Sequence, residues 1–301
     1  MNRLIRITIF FMIAYNAFPL LCDGQYWIGK DNHTPFYDSL SLQYSHLKNV
    51  ITDLPYSVER ESDLNFYFSD LLIIREADSL LSDSSRWNRN DDRECKDDIT
   101  QGKYSLFCAL TKASLNIARE YLHRRPVMQL VRFKIVRYFR DRFNHHRLMD
   151  FNNNLQTTLQ DIRYVLRKSE EDILNQLEDK EQILTVIHRF MDNINPKQPF
   201  GMKDIFTESP SMYYLDKSHD PVIYKKGFPG ISQSETVHKI HETINGLAAI
   251  TINESMGTAW VPYQLWNQDK LLFQGTEVFV LVKSKGGWKI SSINLTLEKD
   301  H

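Results

Sequence analysis

Two hydrophobic periods divide the chain. Through about Leu177, apolar residues recur at the three- and four-residue spacing of helices: Leu64, Phe68, Leu71 and Leu72, then Ala77, Leu80 and Leu81. From 248 onward they fill strand-length blocks, at 248–253, 257–266, 271–283 and 288–297, parted by turns such as Gln268-Asp269 and Lys285-Gly286-Gly287. Long strands joined by tight turns pair antiparallel with their sequence neighbours. Helices followed by such strands make an α+β protein, with an all-helical N-terminal part and a mainly antiparallel sheet at the end.

Within the helical part the spacing predicts a helix over 103–121. A second starts at Pro126 and turns Val127, Leu130, Val131, Ile135, Tyr138 and Phe139 inward. Asn152 to Asn154 make a loop, and Thr157 or Thr158 caps a long helix carrying Ile162, Val165, Leu166, Ile173 and Leu177. Glu178-Asp179-Lys180-Glu181 reads as a charged junction. Ile183, Ile187, Phe190, Met191 and Ile194 then lie on one face of a separate helix ended by Pro196 and Pro199. A short helix at 202–206, small strands at 212–215 and 222–224, and a helix at 232–243 precede the long strands. The division expected is 1–24, 25–178 and 179–301.

The segment 1–24 has the organisation of a signal peptide. Arg3 and Arg6 precede an apolar run at 7–15 that is too short to span a membrane comfortably, and Cys22 and Gly24 suit cleavage after Gly24. The chain is therefore expected to be exported, secreted or periplasmic, with no membrane contact beyond that segment. A lipid anchor on Cys22, preceded by an ill-suited Leu21, is the alternative. Cys95 and Cys108 remain in the mature chain, and a pair in an exported protein is expected to form a disulfide worth about 3 kcal/mol. No Cys-x-x-Cys or Cys/His spacing calls for a metal, and no cofactor is expected. The net charge of −1 excludes a globally basic nucleic-acid binder. Asn32, Asn253 and Asn294 open glycosylation triplets, which matter in a eukaryotic secretory pathway.

From about Asp179 to Lys299, the helix-then-strand order and the placement of Phe190, Phe206, Trp260-Val261-Pro262-Tyr263 and Gly287-Trp288-Lys289-Ile290 resemble the nuclear transport factor 2-like family. The resemblance implies a cone of helices on a bent sheet, used as an active site in some members and for binding or docking in others. Enzymes of this fold, such as steroid isomerases and polyketide cyclases, set a carboxylate base against a Tyr or acid donor. Carried over, Glu277 is the base and Tyr263 or Tyr213 the donor. Phe273-Gln274 stand where some relatives have a His-Cys pair, so no role needing imidazole or thiol there is implied. The stretch from Cys95 through 105–110 to Asp150-Phe151-Asn152-Asn153 resembles an uncharacterised helical domain of bacterial proteins and implies no activity.

Two functional readings stay open. In the preferred one, a noncatalytic cone binds an apolar small molecule through Phe206, Tyr213, Tyr224, Trp260, Tyr263 and Trp266, or pairs two copies as a homodimer through the C-terminal sheet. In the other, the chain is an isomerase, cyclase or hydrolase using Glu277 with Tyr263, or His146 and Asp150 with His123 as an acid–base or metal cluster. Strand parity leaves the direction of Glu277 open, because Val278, Val280 and Val282 are as apolar as Phe279 and Leu281. An exposed or ion-paired Glu277 is the plainer expectation. The basic stretch 119–147, with Arg124, Arg125, Arg132, Lys134, Arg137, Arg140 and Arg142, reads as a solvated face. Its expected counter-charges are Asp91-Asp92 and Asp97-Asp98, and a nucleic-acid surface is the lesser reading.

Overall fold

A computed structural model of the chain describes residues 60–194, 202–216, 223–226 and 240–298. The signal segment, Asn32 and most of the helix expected at 232–243 lie outside them. The helical module packs α1 (Phe68–Leu80), α3 (Leu106–Ala118), α4 (Pro126–Tyr138) and the first half of α6 (Leu159–Ile194) around one apolar core. Two short helices, α2 (Lys96–Gln101) and α5 (Arg147–Asn153), complete it.

Local chemistry sets the ends of these helices. Ser105 accepts the Cys108 N–H at the start of α3, and Pro126 occupies the first turn of α4, where a missing N–H costs nothing. At the start of α6, Thr158 Oγ1 accepts from the Asp161 N–H (3.2 Å) while the Asp161 carboxylate accepts from the Thr158 N–H (2.9 Å). The Cys95–Cys108 disulfide ties the turn before α2 to α3.

The expected junction at 178–181 is no break: α6 is one helix of 36 residues. Its charged residues are anchors on opposite sides. Asp179 accepts from Lys283 Nζ (2.7 Å) and Trp288 Nε1 (3.0 Å) of the sheet. Lys180 Nζ donates to the Phe66 carbonyl (2.6 Å), and Gln176 bonds Phe66 N and Leu64 O (2.6 and 2.8 Å). Ile162, Val165, Leu166 and Ile173 of α6 fill the helical core, whereas Ile183, Ile187, Phe190 and Met191 fill the core against the sheet. Among the described residues no helix is long and apolar enough to cross a membrane.

A short α7 (Met202–Ile205) leads into the sheet. Its strands are β1 (Phe206–Asp216), β2 (Ile223–Lys226), β3 (Ile240–Ile244), β4 (Ala249–Asn253), β5 (Met256–Asn267), β6 (Lys270–Ser284) and β7 (Gly287–Leu297). The order is β2-β1-β7-β6-β5-β3, with β4 also on β5, and all pairs are antiparallel except β1 with β7. Register shifts at Leu265/Trp266 and Val280/Leu281 bend the long strands, as an extra residue in one strand does. One face packs on α6 so closely that a Cβ on Gly257 would meet Ile183 Cδ1 at 2.8 Å. The chain is thus α+β, with helices followed by a curved mixed sheet.

Residues 240–244 form strand β3, where a helix was expected. Ile240, His241 and Ile244 fall at helical spacing, but pairing with β5 from Ile240↔Asn267 to Ile244↔Tyr263 overrides that local preference. A proline within α6 at 178 removes a ladder N–H and clashes with the preceding turn. Glu178→Pro is therefore expected to cost about 3 kcal/mol or more and to split a single calorimetric transition into two. An unsplit transition of unchanged midpoint would show that the shared helix does not couple the two cores.

Candidate functional site

On the face that packs against α6, the odd-numbered residues of β5 and β6 are buried: Ala259, Val261, Tyr263 and Leu265, then Glu277, Phe279 and Leu281. Val261 lies opposite Glu277, Tyr263 opposite Gly275, and Glu242 of β3 opposite Leu265. Residues directly opposite in a ladder share a face, so two carboxyls and a phenol converge on an otherwise apolar surface.

Glu277 is 0 % exposed, and neither of its oxygens has a hydrogen-bond partner. Burial, reinforced by the charge of Glu242, pushes its pKa well above the ordinary carboxyl value. Glu242 is 9 % exposed, has one unpartnered oxygen, and is pushed up by burial to about 8. An ion-paired or solvent-facing Glu277 was the plainer expectation; the structure instead buries it without a counter-charge.

Tyr263 donates its hydroxyl proton to the Thr296 carbonyl (2.8 Å), and Thr296 Oγ1 accepts from the Thr276 N–H (3.0 Å). The phenol thus reaches into the β6–β7 seam over Gly275, where a Cβ would sit 2.3 Å from the Thr296 oxygen. Burial, then the charges of Glu277 and Glu242, raise the Tyr263 pKa. Tyr263 lies diagonal to Glu277 across β5 and β6, but its proton is already committed to the Thr296 carbonyl. The acid available to a ligand is a carboxyl.

The other expected lining residues divide. Phe206 packs edge-to-face on Phe190 within the core (5.9 Å between ring centroids). Trp260 is on the outer face, 57 % exposed, and Trp266 is there too, stacked on its register partner His241. Tyr213 pairs with Asn294, one residue out of phase with the buried Ile293 and Leu295, so it also faces outward, whereas Tyr214 packs on the core. The side chain of Tyr224 lies outside the described residues. Glu242 was missed because its segment was read as helix; in a strand it shares a face with Ile244, and a lone carboxylate at apolar parity was the available signal.

The second expected cluster does not assemble. One Asp150 carboxylate oxygen accepts the N–H groups of Asn144, His145 and His146 (3.0, 2.8 and 2.9 Å), and His146 is exposed at the start of α5. Burial works against the Asp150 charge, but those donors outweigh it and lower its pKa. His123 contacts Tyr121 and Arg132 instead (3.3 and 3.1 Å). Asn152 binds Trp87 Nε1, Leu106 N and Asn88 O, and Asn153 pairs both ways with the Asp91 backbone, so this phrase fastens a loop. Among the described residues no group of three or more His, Cys, Asp or Glu is arranged to hold a metal.

The basic stretch is only partly solvated, and three of its cations pair with acids other than those of the expected loop. Lys134 is buried between Glu61 and Asp172, Arg137 pairs with Glu61, and Arg142 pairs with Asp161. Lys134, buried and matched in this way, does not present its charge to a polyanion.

A family of unknown function, DUF6197, matches residues 69–172, within the helical module. No curated protein matches the chain. Solved structures similar to it include an NTF2-like protein of unknown function from Shewanella baltica (14 % identity, 41 % of this chain, 97 % of that one, TM-score 0.30). Another is an NTF2-like protein with a cystatin-like fold from Novosphingobium aromaticivorans (15 %, 47 %, 91 %, TM-score 0.33). A third is an NTF2-like superfamily protein from Salmonella enterica serovar Typhimurium (18 %, 41 %, 93 %, TM-score 0.31).

A carboxyl whose pKa is raised on folding makes the folded state hold its proton more tightly than the unfolded chain does. Stability is then highest below the ordinary carboxyl pKa and falls as pH rises, through about 8 for Glu242, with Glu277 shifted in the same direction. Glu277→Gln is expected to stabilise the protein at about pH 8 and to have little effect at about pH 4, where the native carboxyl is protonated in both states. Urea titrations across that range check it; parallel curves for the two proteins would contradict it.

Proposed function

We propose that the α6-facing side of the sheet binds a small, largely apolar carbonyl compound and moves a proton on it. One observation carries this: Glu277 holds a fully buried carboxyl with no partner at either oxygen. Leaving such a group unsatisfied costs roughly 1–3 kcal/mol, and a ligand oxygen accepting its proton would recover that cost. Glu277, kept protonated, is the hydrogen-bond donor to the ligand. Glu242, more accessible and with a pKa near the working range, is the group that takes and returns a proton. Export of the chain is part of the same proposal, supported by the 1–24 segment and the Cys95–Cys108 disulfide.

Deuterium exchange next to the carbonyl of a cyclic enone, followed by proton NMR in heavy water, tests the chemistry. The expected outcome is protein-dependent exchange, reduced about 100-fold or more in both Glu242→Gln and Glu277→Gln. Exchange no faster than in buffer, or equal in all three proteins, would reject proton transfer.

A second reading concerns the outer face, where Trp260 and Met256 are exposed beside Val278, Val280 and Val282. An apolar sheet face of this kind suits pairing of two copies. Trp260→Glu is expected to shift light scattering from dimer to monomer; a strict monomer before substitution would exclude the pairing.

A further inference from the structure

Among the described residues, the helical module contains guanidiniums that are not ion-paired with an acid, those of Arg132, Arg93 and Arg147. Arg132, on α4, is only 7 % exposed, and its described hydrogen bonds go to neutral groups: the His123 carbonyl (3.2 Å), the Met128 carbonyl (2.8 Å), His123 Nδ1 (3.1 Å) and the Tyr121 hydroxyl. A buried guanidinium ordinarily sits against a carboxylate. Arg132, Arg93 and Arg147 make no ion pair among the described residues, and the charges acting on His123 are four guanidiniums, those of Arg132, Arg93, Arg124 and Arg147. The nearby acids in sequence are turned to other cations, Glu120 toward Arg125 and Glu94 toward Lys96 (3.5 Å each).

Three separate pieces of chain bring these groups together. Arg93 is held in the left-handed region (φ 68°) by an Asp91 carboxylate that accepts its N–H (2.8 Å), two residues before the disulfide at Cys95. Tyr121, His123 and Arg124 come from the α3–α4 connection, and Arg147 opens α5. Tyr121 lies between its neighbours, its hydroxyl 3.3 Å from His123 Nδ1. Burial first, and then the four guanidiniums, hold the His123 pKa down to about 4, so the imidazole is a neutral acceptor for Arg132. Arg93, Arg124 and His123 are exposed, so the cluster is open to solvent at its rim and buried at Arg132.

We propose that Arg132, Arg93, Arg147 and His123 form a binding site for a tetrahedral oxyanion, the phosphate or sulfate group of a small molecule. Guanidiniums grouped around one imidazole can supply several donors to the oxygens of such a group, and an anion there would give Arg132 the counter-charge it lacks. The site is distinct from the carboxyl pair, which would repel an anion. It also explains why part of the basic stretch is left unpaired while Lys134, Arg137 and Arg142 are matched to acids.

The test follows the His123 ring resonances by NMR in the full chain, titrating pH in chloride and then in tens of millimolar inorganic phosphate or sulfate at matched ionic strength. A bound anion cancels the surrounding repulsion, so the His123 pKa is expected to rise by about one unit or more in either anion. Arg147→Gln and Arg93→Gln, both at the accessible rim, are expected to raise the His123 pKa in chloride and to weaken the phosphate response several-fold. Arg140→Gln, outside the cluster, is expected to leave both unchanged. A His123 titration indifferent to phosphate and sulfate, or a response equally lost in Arg140→Gln, would overturn the proposal.

Discussion

One helix holds both halves of this protein in place. Each end of α6 supplies the apolar stripe that closes a different core, so neither core is complete without it. The load concentrates where the stripe changes partners. There Asp179 reaches the sheet through Lys283 and Trp288, while Lys180 and Gln176 hold the segment at 64–66. Lys180 is desolvated enough for its pKa to fall to about 8, so the anchor is a charged group accepted into a partly dry joint. The helix is thus the common wall of two compartments.

That wall also explains why the carboxyl pair is buried. Phe279 packs on Phe190 of α6, edge to face at 5.6 Å, and Glu277 precedes it by one step on the same face of β6. Seating Phe279 against the helix drags Glu277 out of water. The strain is retained in a sheet otherwise closed by ordinary ladders, and it sits where two strands and a phenol meet. The oxyanion cluster is the opposite arrangement, excess cation without acid, and the two lie in different modules.

Particular residues show what could be read beforehand. The change of period identified helices before strands, and the cysteine count, once Cys22 was assigned to the leading segment, pointed to Cys95–Cys108, because both are local or compositional signals. Glu178-Asp179-Lys180-Glu181 looked like an interruption because polar residues mark the ends of most helices; here they contact two different partners, which only the tertiary fold supplies. Glu242 was hidden by a helical spacing that β5 overrides. The direction of Glu277 was illegible for a different reason: the outer face, with Trp260 and the valines of β6, is as apolar as the inner one, so alternation carried no sign. The unpaired Arg132 was legible only as part of a basic run, since pairing is decided by which acids the fold brings near.

The outer face carries a sugar-acceptor sequence as well as its apolar residues. Asn294 lies opposite Val278, which lies opposite Trp260, so the three form one row across β7, β6 and β5 on the side away from α6. A glycan on Asn294 would project over that row, and a second copy of the chain would need the same space. Sugar on that side-chain amide and the proposed pairing of two copies would therefore exclude one another on this surface.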